Sequence, residues 1–342
     1  MNKNFLGSLL SAPSPSGFEE EATKVYDNYM SEFAKHEFTD NMGNSVYSLA
    51  DISKPTKKRI MISGHIDSIG LMVSNITEDG LLNIASNGGI DKKTLPGSVV
   101  IVLSEVGPKK GIIGKKPIHV ETSEERDKVD SLKDLTVDVG GDLEGIHVGT
   151  LIIFERNYDL EFGKDKKYII GPDLDDKIGV YITSQVLEKA GAIPGVLLYG
   201  VSMVQEEVGL RGAAAVSKSI NPDISIDIDV TFETHQSGLS KSEYGDIKLG
   251  SGPVIEWGAD KSRSLNNELL EISKKHNIPI QHEATRPGGT NTDAIQIMSK
   301  DCITTHIAIP LKNMHTQVEM ISWDDVNNCI DLIVELLRNH KY

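Results

Sequence analysis

The chain has 342 residues, enough for one large domain or two ordinary ones that each bury a core. Its 35 basic and 50 acidic residues leave a formal charge of −15, which repels nucleic acid and anionic membrane and keeps a large particle soluble. The two cysteines, Cys302 and Cys329, give no disulfide framework and read as core thiols, and no apolar run reaches transmembrane length. The first residues hold one short apolar patch with too little positive charge for a secretory signal, so a cytoplasmic protein is expected.

In chain order, "SGFEEEATKVYDNYMSEF" predicts an amphipathic helix: Ser16 and Glu19 have capping-box spacing, and Ala22, Val25, Tyr26, Tyr29, Met30 and Phe33 repeat at the helical period. Strand patterns follow at "SVYSLA", "RIMISGH" and "IGLMVS". From about 72 to 166 the chain changes character, to short β-like runs such as "LLNIAS", "GSVVIVL", "GIIGKK", "LTVDVG" and "GTLIIFERN" between Gly, Pro and charged turns. The polar run "HVETSEERDKVDSLKD" within it reads as a solvated loop or short helix.

After residue 168 strands and helices alternate. They run from "YIIG" and a helix from 176, through "GVLLYGVSMV", a helix from about 209 and "DISIDIDV", to helix "SRSLNNELLEISKKHN" and strand "IPIQHE". A helix after "GGTNTDA", strand "ITTHIAI" and a last helix starting at Ser322 complete the chain, the last with Val326, Ile330, Ile333, Val334 and Leu337 as its buried stripe. The expected fold is an α/β domain, residues 1–71 and 167–342, with a mixed, largely parallel sheet covered by helices on both faces. A β-rich domain, residues 72–166, is inserted into it.

Five strand ends carry metal-ligand residue types, as the rim of an α/β sheet does when it holds a site. "MISGHIDSIG" delivers His65 and, two residues on, Asp67, the pattern of a metal-bound imidazole oriented by a carboxylate. "GPDLDDKIG" supplies Asp173, Asp175 and Asp176, more acid than a helix cap uses. "SMVQEEVGL" ends a buried strand on Glu206 and Glu207, whose mutual repulsion calls for a compensating charge. "ISIDIDVT" puts Asp227 and Asp229 on one strand face, and "PLKNMHTQVEM" adds His315, with Glu319 beyond. Two divalent ions about 3.5–4 Å apart, with a water between them as nucleophile, call for two His, two terminal carboxylates and one bridge. His65, Asp229, Asp175, Glu207 and His315 fit that inventory, and Glu206 is left as the base.

The motifs "SPSGFEEE", "GHIDSIGLMV", "GGIDKKTLPG", "LDDKIG", "VQEEVGLRGA", "GGTNTDAIQI" and "MHTQVE" resemble, in order and over nearly the whole chain, the glutamyl and tetrahedral (TET) aminopeptidases of metallopeptidase family 42. The resemblance implies a zinc-exopeptidase-like fold with a cis peptide between Asp175 and Asp176, and an inserted domain that mediates dimerisation. It implies metal ligation by His65, Asp175, Glu207, Asp229 and His315, orientation of His65 by Asp67, and Glu206 as general base and acid. Expected cofactors are two divalent ions, zinc or cobalt, with manganese as a further option. Expected partners are short peptides and other copies of the chain, in dimers and a tetrahedral dodecamer. Ser68, Gln317 and His235 depart from the family pattern; His235 reads as a surface residue or as one reaching the substrate pocket.

The function read is aminopeptidase action, the alternatives being a carboxypeptidase or N-deacylase of the same dinuclear class and, below these, a glycoside hydrolase, which would not use His65 or His315. Asp67, Asp173 and Glu206 are expected to leave negative potential that attracts an α-ammonium, with Lys177 and Arg211 engaged in structural salt bridges.

Overall fold

The computed structural model describes residues 2–51, 55, 58–284 and 289–340. The first glycine of "GGTNTDA" lies outside them. Two helices, α1 (Lys3–Ser11) and α2 (Glu20–Met30), precede strands β1 (Lys35–Thr39), β2 (Ser45–Ala50) and β3 (Lys58–His65). Helix α1 buries Phe5, Leu6, Leu9 and Leu10, so the first apolar patch is a core helix. The capping box expected at Ser16 does not form. Helix α2 starts only at Glu20, with Glu19 as its N-cap residue and no side-chain cap, and the Ser16 hydroxyl donates to Asp67 Oδ2 at 2.7 Å.

Next come β4 (Gly70–Ile76), β5 (Leu82–Asn87), β6 (Val99–Ser104), β7 (Gly107–Gly114), the short helix α3 (Ser123–Arg126), β8 (Thr136–Asp138) and β9 (Leu151–Phe154). These six strands close into a barrel in the order β4-β5-β8-β7-β6-β9, with its own core of Leu71, Val73, Val100, Val102, Val137 and Ile152. The polar run before β8 forms α3 and single-turn pieces, as a solvated segment.

The chain returns through β10 (Asp159–Phe162), β11 (Tyr168–Gly171), α4 (Leu174–Ala190), β12 (Val196–Met203), α5 (Arg211–Ile220) and β13 (Ile224–Phe232). It ends with α6 (Lys241–Tyr244), β14 (Val254–Trp257), α7 (Arg263–His276), β15 (Gln281–Ala284), α8 (Asn291–Met298), β16 (Ile303–Leu311), β17 (Glu319–Ser322) and α9 (Trp323–Asn339). Strand β10 falls within the block 72–166 but stands outside the barrel. It pairs with β11, which pairs with β17, since Leu160 packs on the larger core and its carbonyl accepts from Trp323 Nε1 at 2.8 Å.

The main sheet has the order β1-β2-β12-β3-β13-β16-β14-β15, and its centre, β12-β3-β13-β16, is parallel. Strand β3 shows why both faces are covered. Ile60 and Ile62 enter the core shared with α1, α2, α4, α7 and α9, while Met61 between them meets Val216 of α5 and Ile295 of α8 on the other side. Parallel strands finish on one rim, so the residues following β3, β12 and β13 emerge together.

The barrel rests on that rim. Asn87 Nδ2 donates to Ser16 O at 3.0 Å, Asp91 N to His315 O at 3.4 Å, and Gln317 Nε2 to Thr94 O at 2.6 Å and also to Ser98 Oγ. A Cβ on Gly89 would lie 3.3 Å from His315 Nδ1, a tight contact that marks how closely the two segments approach.

Candidate metal centre

His65 is the last residue of β3 and is buried. Its main-chain N–H donates to Asp176 Oδ2 at 3.0 Å, and its Nδ1 lies 3.0 Å from the main-chain carbonyl of Asp67. That bond assigns the proton to Nδ1 and leaves the Nε2 lone pair facing Asp175 Oδ1 at 3.2 Å and Asp229 Oδ1 at 3.8 Å. The Asp67 carboxylate has a further purpose beside the one expected. Its Oδ1 is 3.5 Å from His65 Nδ1, whereas it accepts from Glu206 N at 2.9 Å, Glu207 N at 3.2 Å and the Ser16 hydroxyl. Asp67 thus orients His65 through its backbone and fixes the Glu206–Glu207 main chain through its side chain.

Asp175 opens α4 across a cis peptide bond to Asp176. Its second oxygen, Oδ2, is 3.3 Å from His315 Nε2, which is also 3.4 Å from Glu207 Oε1. Two triads result, His65–Asp175–Asp229 and Asp175–Glu207–His315, each with ligand atoms within 4.8 Å of one another and sharing Asp175. Glu206 stands beside them, its Oε2 4.0 Å from His65 Nε2. His315 adopts a left-handed backbone, φ 60°, on the loop between β16 and β17.

A residue outside the expected ligand set secures this geometry. The buried Glu319 carboxylate accepts from Asp175 N and His315 N, both at 3.0 Å, and so spans one ligand from each side of the cluster. Its position four residues after His315 is the sequence signal for it.

Burial first, and then the neighbouring carboxylates, push Glu206 up to about 9, Asp229 to about 7 and Glu207 well above the usual carboxylate range. Burial works against a charged imidazole, but hydrogen bonds to carboxylates raise both histidines, His315 to about 9. These directions describe converging acceptors without enough positive charge. Among the described residues no Lys or Arg lines the cavity of about 470 Å³ onto which the cluster opens. A donor set of imidazole nitrogens and carboxylate oxygens around one shared carboxylate is what divalent ions bind, so the residues fit a metal pair.

The other expected residues lie apart. Asp173 is paired with Arg156 and, at 3.1 Å, with Lys177, whose ammonium also donates to Ala12 O at 2.6 Å. Asp173 therefore contributes no free charge to the cluster, contrary to expectation, and Lys177 is structural. Arg211 is exposed. His235 sits on the surface between Asp246, 2.6 Å away, and Lys241, 3.0 Å away. Both Asp227 and Asp229 are buried, Asp227 accepting from Ser63 Oγ at 2.7 Å.

Comparison with known proteins places these features in a family. A model of the M42 glutamyl aminopeptidase family matches residues 43–332. The chain is 31% identical to the lysyl aminopeptidase of Pyrococcus furiosus, over 97% of this chain and 96% of the relative, and 25% identical to the glutamyl aminopeptidase of Lactococcus lactis, over 93% and 90%. Its fold superposes with a TM-score of 0.92 on a TET aminopeptidase from a marine sediment thaumarchaeon, at 28% identity over 98% and 96% of the two chains. It superposes at 0.84 on the TET1 peptidase of Pyrococcus horikoshii, at 29% identity over 98% of each, a protein that assembles into a tetrahedron or a large octahedral shell. The chain belongs to the M42 aminopeptidases, a family of metallopeptidases.

Proposed function

We propose that the cluster binds two divalent ions, zinc or cobalt with manganese as a further option, and that the protein releases amino-terminal residues from short peptides. His65 and Asp229 would hold one ion, Glu207 and His315 the other, and Asp175 both. The observation that carries this reading is the position of Asp175, with one carboxylate oxygen 3.2 Å from His65 Nε2 and the other 3.3 Å from His315 Nε2.

When bound, such ions polarise the scissile carbonyl and lower the pKa of water at the site. Glu206, in neither triad, is the group free to take a proton from the attacking water and return it to the leaving amine. Asp67 holds base and ligand in register, since one carboxylate binds the amides of both Glu206 and Glu207. The carboxylates of a largely buried site favour an α-ammonium group. A carboxypeptidase would instead need a cation for the substrate carboxylate, and among the described residues none lines the cavity.

The inserted domain is proposed to mediate self-association, into dimers and then a closed shell, in the cytoplasm. Val99 and Ile112 support this, being register partners on β6 and β7 whose side chains stay exposed on the outer barrel face. No helix among the described residues is long and apolar enough to cross a membrane.

Two measurements test the reading. Chelation should abolish peptidase activity and added zinc, cobalt or manganese restore it, with two ions per chain by elemental analysis. Mass spectrometry of digests of paired free and N-acetylated peptides should show stepwise loss from the free amino end alone. Trimming from the carboxyl end, or equal cleavage of the acetylated partner, would move the protein to the carboxypeptidase or deacylase class.

A further inference from the structure

The ladder of the main sheet stops just short of the two strand-end glutamates. On β12, Ser202 is the last residue paired with β2 and Met203 the last paired with β3. Val204, Gln205, Glu206 and Glu207 therefore carry four consecutive main-chain N–H groups beyond the ladder. Val204 is fully buried and the next three residues are half-buried, so amides left unpaired there would be costly.

Three side chains from separate segments stand in for a strand. Asn44, just before β2, accepts from Val204 N through Oδ1 at 3.0 Å, and Asp67, after β3, accepts from Glu206 N and Glu207 N at 2.9 and 3.2 Å. Glu19, just before α2, accepts from Gly17 N at 2.6 Å, and its carboxylate faces the amide of Gln205. All three side chains are buried. Gln205 calls for such a hold, because its backbone is left-handed, φ 55°, without being glycine.

Asn44 also closes the loop that follows. Its Nδ2 donates to Gly212 O at 3.1 Å and to Asp40 Oδ2 at 2.7 Å, so one carboxamide grips both ends of the loop 204–212. Beside it, Gly212 N donates to Val204 O at 3.1 Å. This neck leaves no room for a side chain: a Cβ on Gly212 would lie 2.1 Å from Val204 O and 2.6 Å from Asn44 Oδ1. A carboxamide supplies acceptor and donor together, whereas an aspartate in its place would set an oxygen against Gly212 O and the Asp40 carboxylate.

We propose that Asn44 and Glu19 are positioning residues for the peptidase reaction, which with Asp67 hold the loop 204–212 so that Glu206 stays aimed at the cluster. The inference rests on the aminopeptidase reading above, in which Glu206 carries the proton. Both residues act on Glu206 through the main chain, and a misplacement of about 1 Å costs up to about a hundredfold in rate.

The test uses Asn44→Ala and Glu19→Ala, each alone and combined with Glu206→Gln, in the metal-reconstituted full chain with the unblocked amino-acid p-nitroanilide it cleaves best. Each single variant should lower kcat by about tenfold, the scale of one buried hydrogen bond, with KM unchanged. In the Glu206→Gln background the same substitutions should lower kcat by no more than about twofold, because the group they aim is already gone. Hydrogen exchange on the metal-free chain reads the loop without turnover: the segment 204–207 should exchange at least about tenfold faster, while β3 and β13 keep their protection. The two residues sit in separate segments, so either folded variant decides the question if the other fails to fold. Unchanged kcat, an equal loss with and without Glu206, or unmoved protection at 204–207 would overturn the proposal and leave the aminopeptidase reading intact. An unaltered, metal-loaded protein that cleaves no unblocked anilide would overturn that reading and the proposal with it.

Discussion

Asp67→Asn separates two duties that sequence position alone cannot tell apart. The carboxylate accepts three donors: the Ser16 hydroxyl at 2.7 Å, Glu206 N at 2.9 Å and Glu207 N at 3.2 Å. Asparagine keeps one acceptor oxygen. With that oxygen in the Oδ2 place it keeps the Ser16 hydroxyl and Glu207 N, and the new amide NH2 faces Glu206 N–H, donor against donor. One charge-assisted hydrogen bond is lost at a buried side chain, about 1.5–3 kcal/mol. Expressed as displacement of Glu206 in the transition state, this lowers kcat by about ten- to a hundredfold. Metal affinity should hold, because His65 Nδ1 bonds to the Asp67 main-chain carbonyl, which the substitution retains. The assay is kcat at saturating metal alongside metal affinity by chelator competition. A tenfold or greater loss of affinity with unchanged kcat would refute the reasoning and return the Asp67 carboxylate to His65.

Three further outcomes are expected. Glu206→Gln should keep both metals and lower kcat by about a hundredfold or more, whereas Glu207→Gln should lose metal occupancy first; equal metal loss in the two would reverse their roles. Ile112→Glu, on a side chain 57% exposed on the barrel, should shift light-scattering mass toward smaller particles with the fold intact by circular dichroism. His306, lowered by burial to about 4 and flanked by Glu256, Lys261 and Asp260, is neutral when folded, while the unfolded chain takes up its proton below pH 6.5. Its contribution therefore falls as pH drops from 6.5 to 4, by about 3 kcal/mol in all, so the stability of His306→Gln relative to the unaltered protein should rise over that window in urea unfolding.

The central strands are legible in the sequence because β3, β12, β13 and β16 are buried on both faces and read as apolar runs that stop at polar residues. Strand β1, "KHEFT", is an edge strand with mixed exposure, and β14, "VIEW", has only four residues, so neither shows a period. Ser16 illustrates a different failure. Its spacing to Glu19 is that of a capping box, but the helix starts only at Glu20, and Ser16 turns its hydroxyl to Asp67, 51 residues away, a contact no local pattern carries. At the site, the strand-end acids and histidines stand out because each interrupts an apolar run. The role of Glu319 does not, since its two backbone partners come together through the pairing of β11 with β17.

His315 belongs mechanically to two bodies. Its side chain faces Asp175 and Glu207 on the rim of the sheet, while its carbonyl accepts from Asp91, its ring abuts Gly89, and Gln317 two residues on grips Thr94 and Ser98. The barrel and the rim thus act in series through one loop. A slide of the barrel along this seam would be felt first in the separation of His315 Nε2 from Asp175 Oδ2, while His65, Asp175 and Asp229, all borne by the α/β layer, keep their mutual spacing. His315 is thus the proposed ligand through which a shift of the barrel would reach the cluster, against the hold that Glu319 keeps on its main chain.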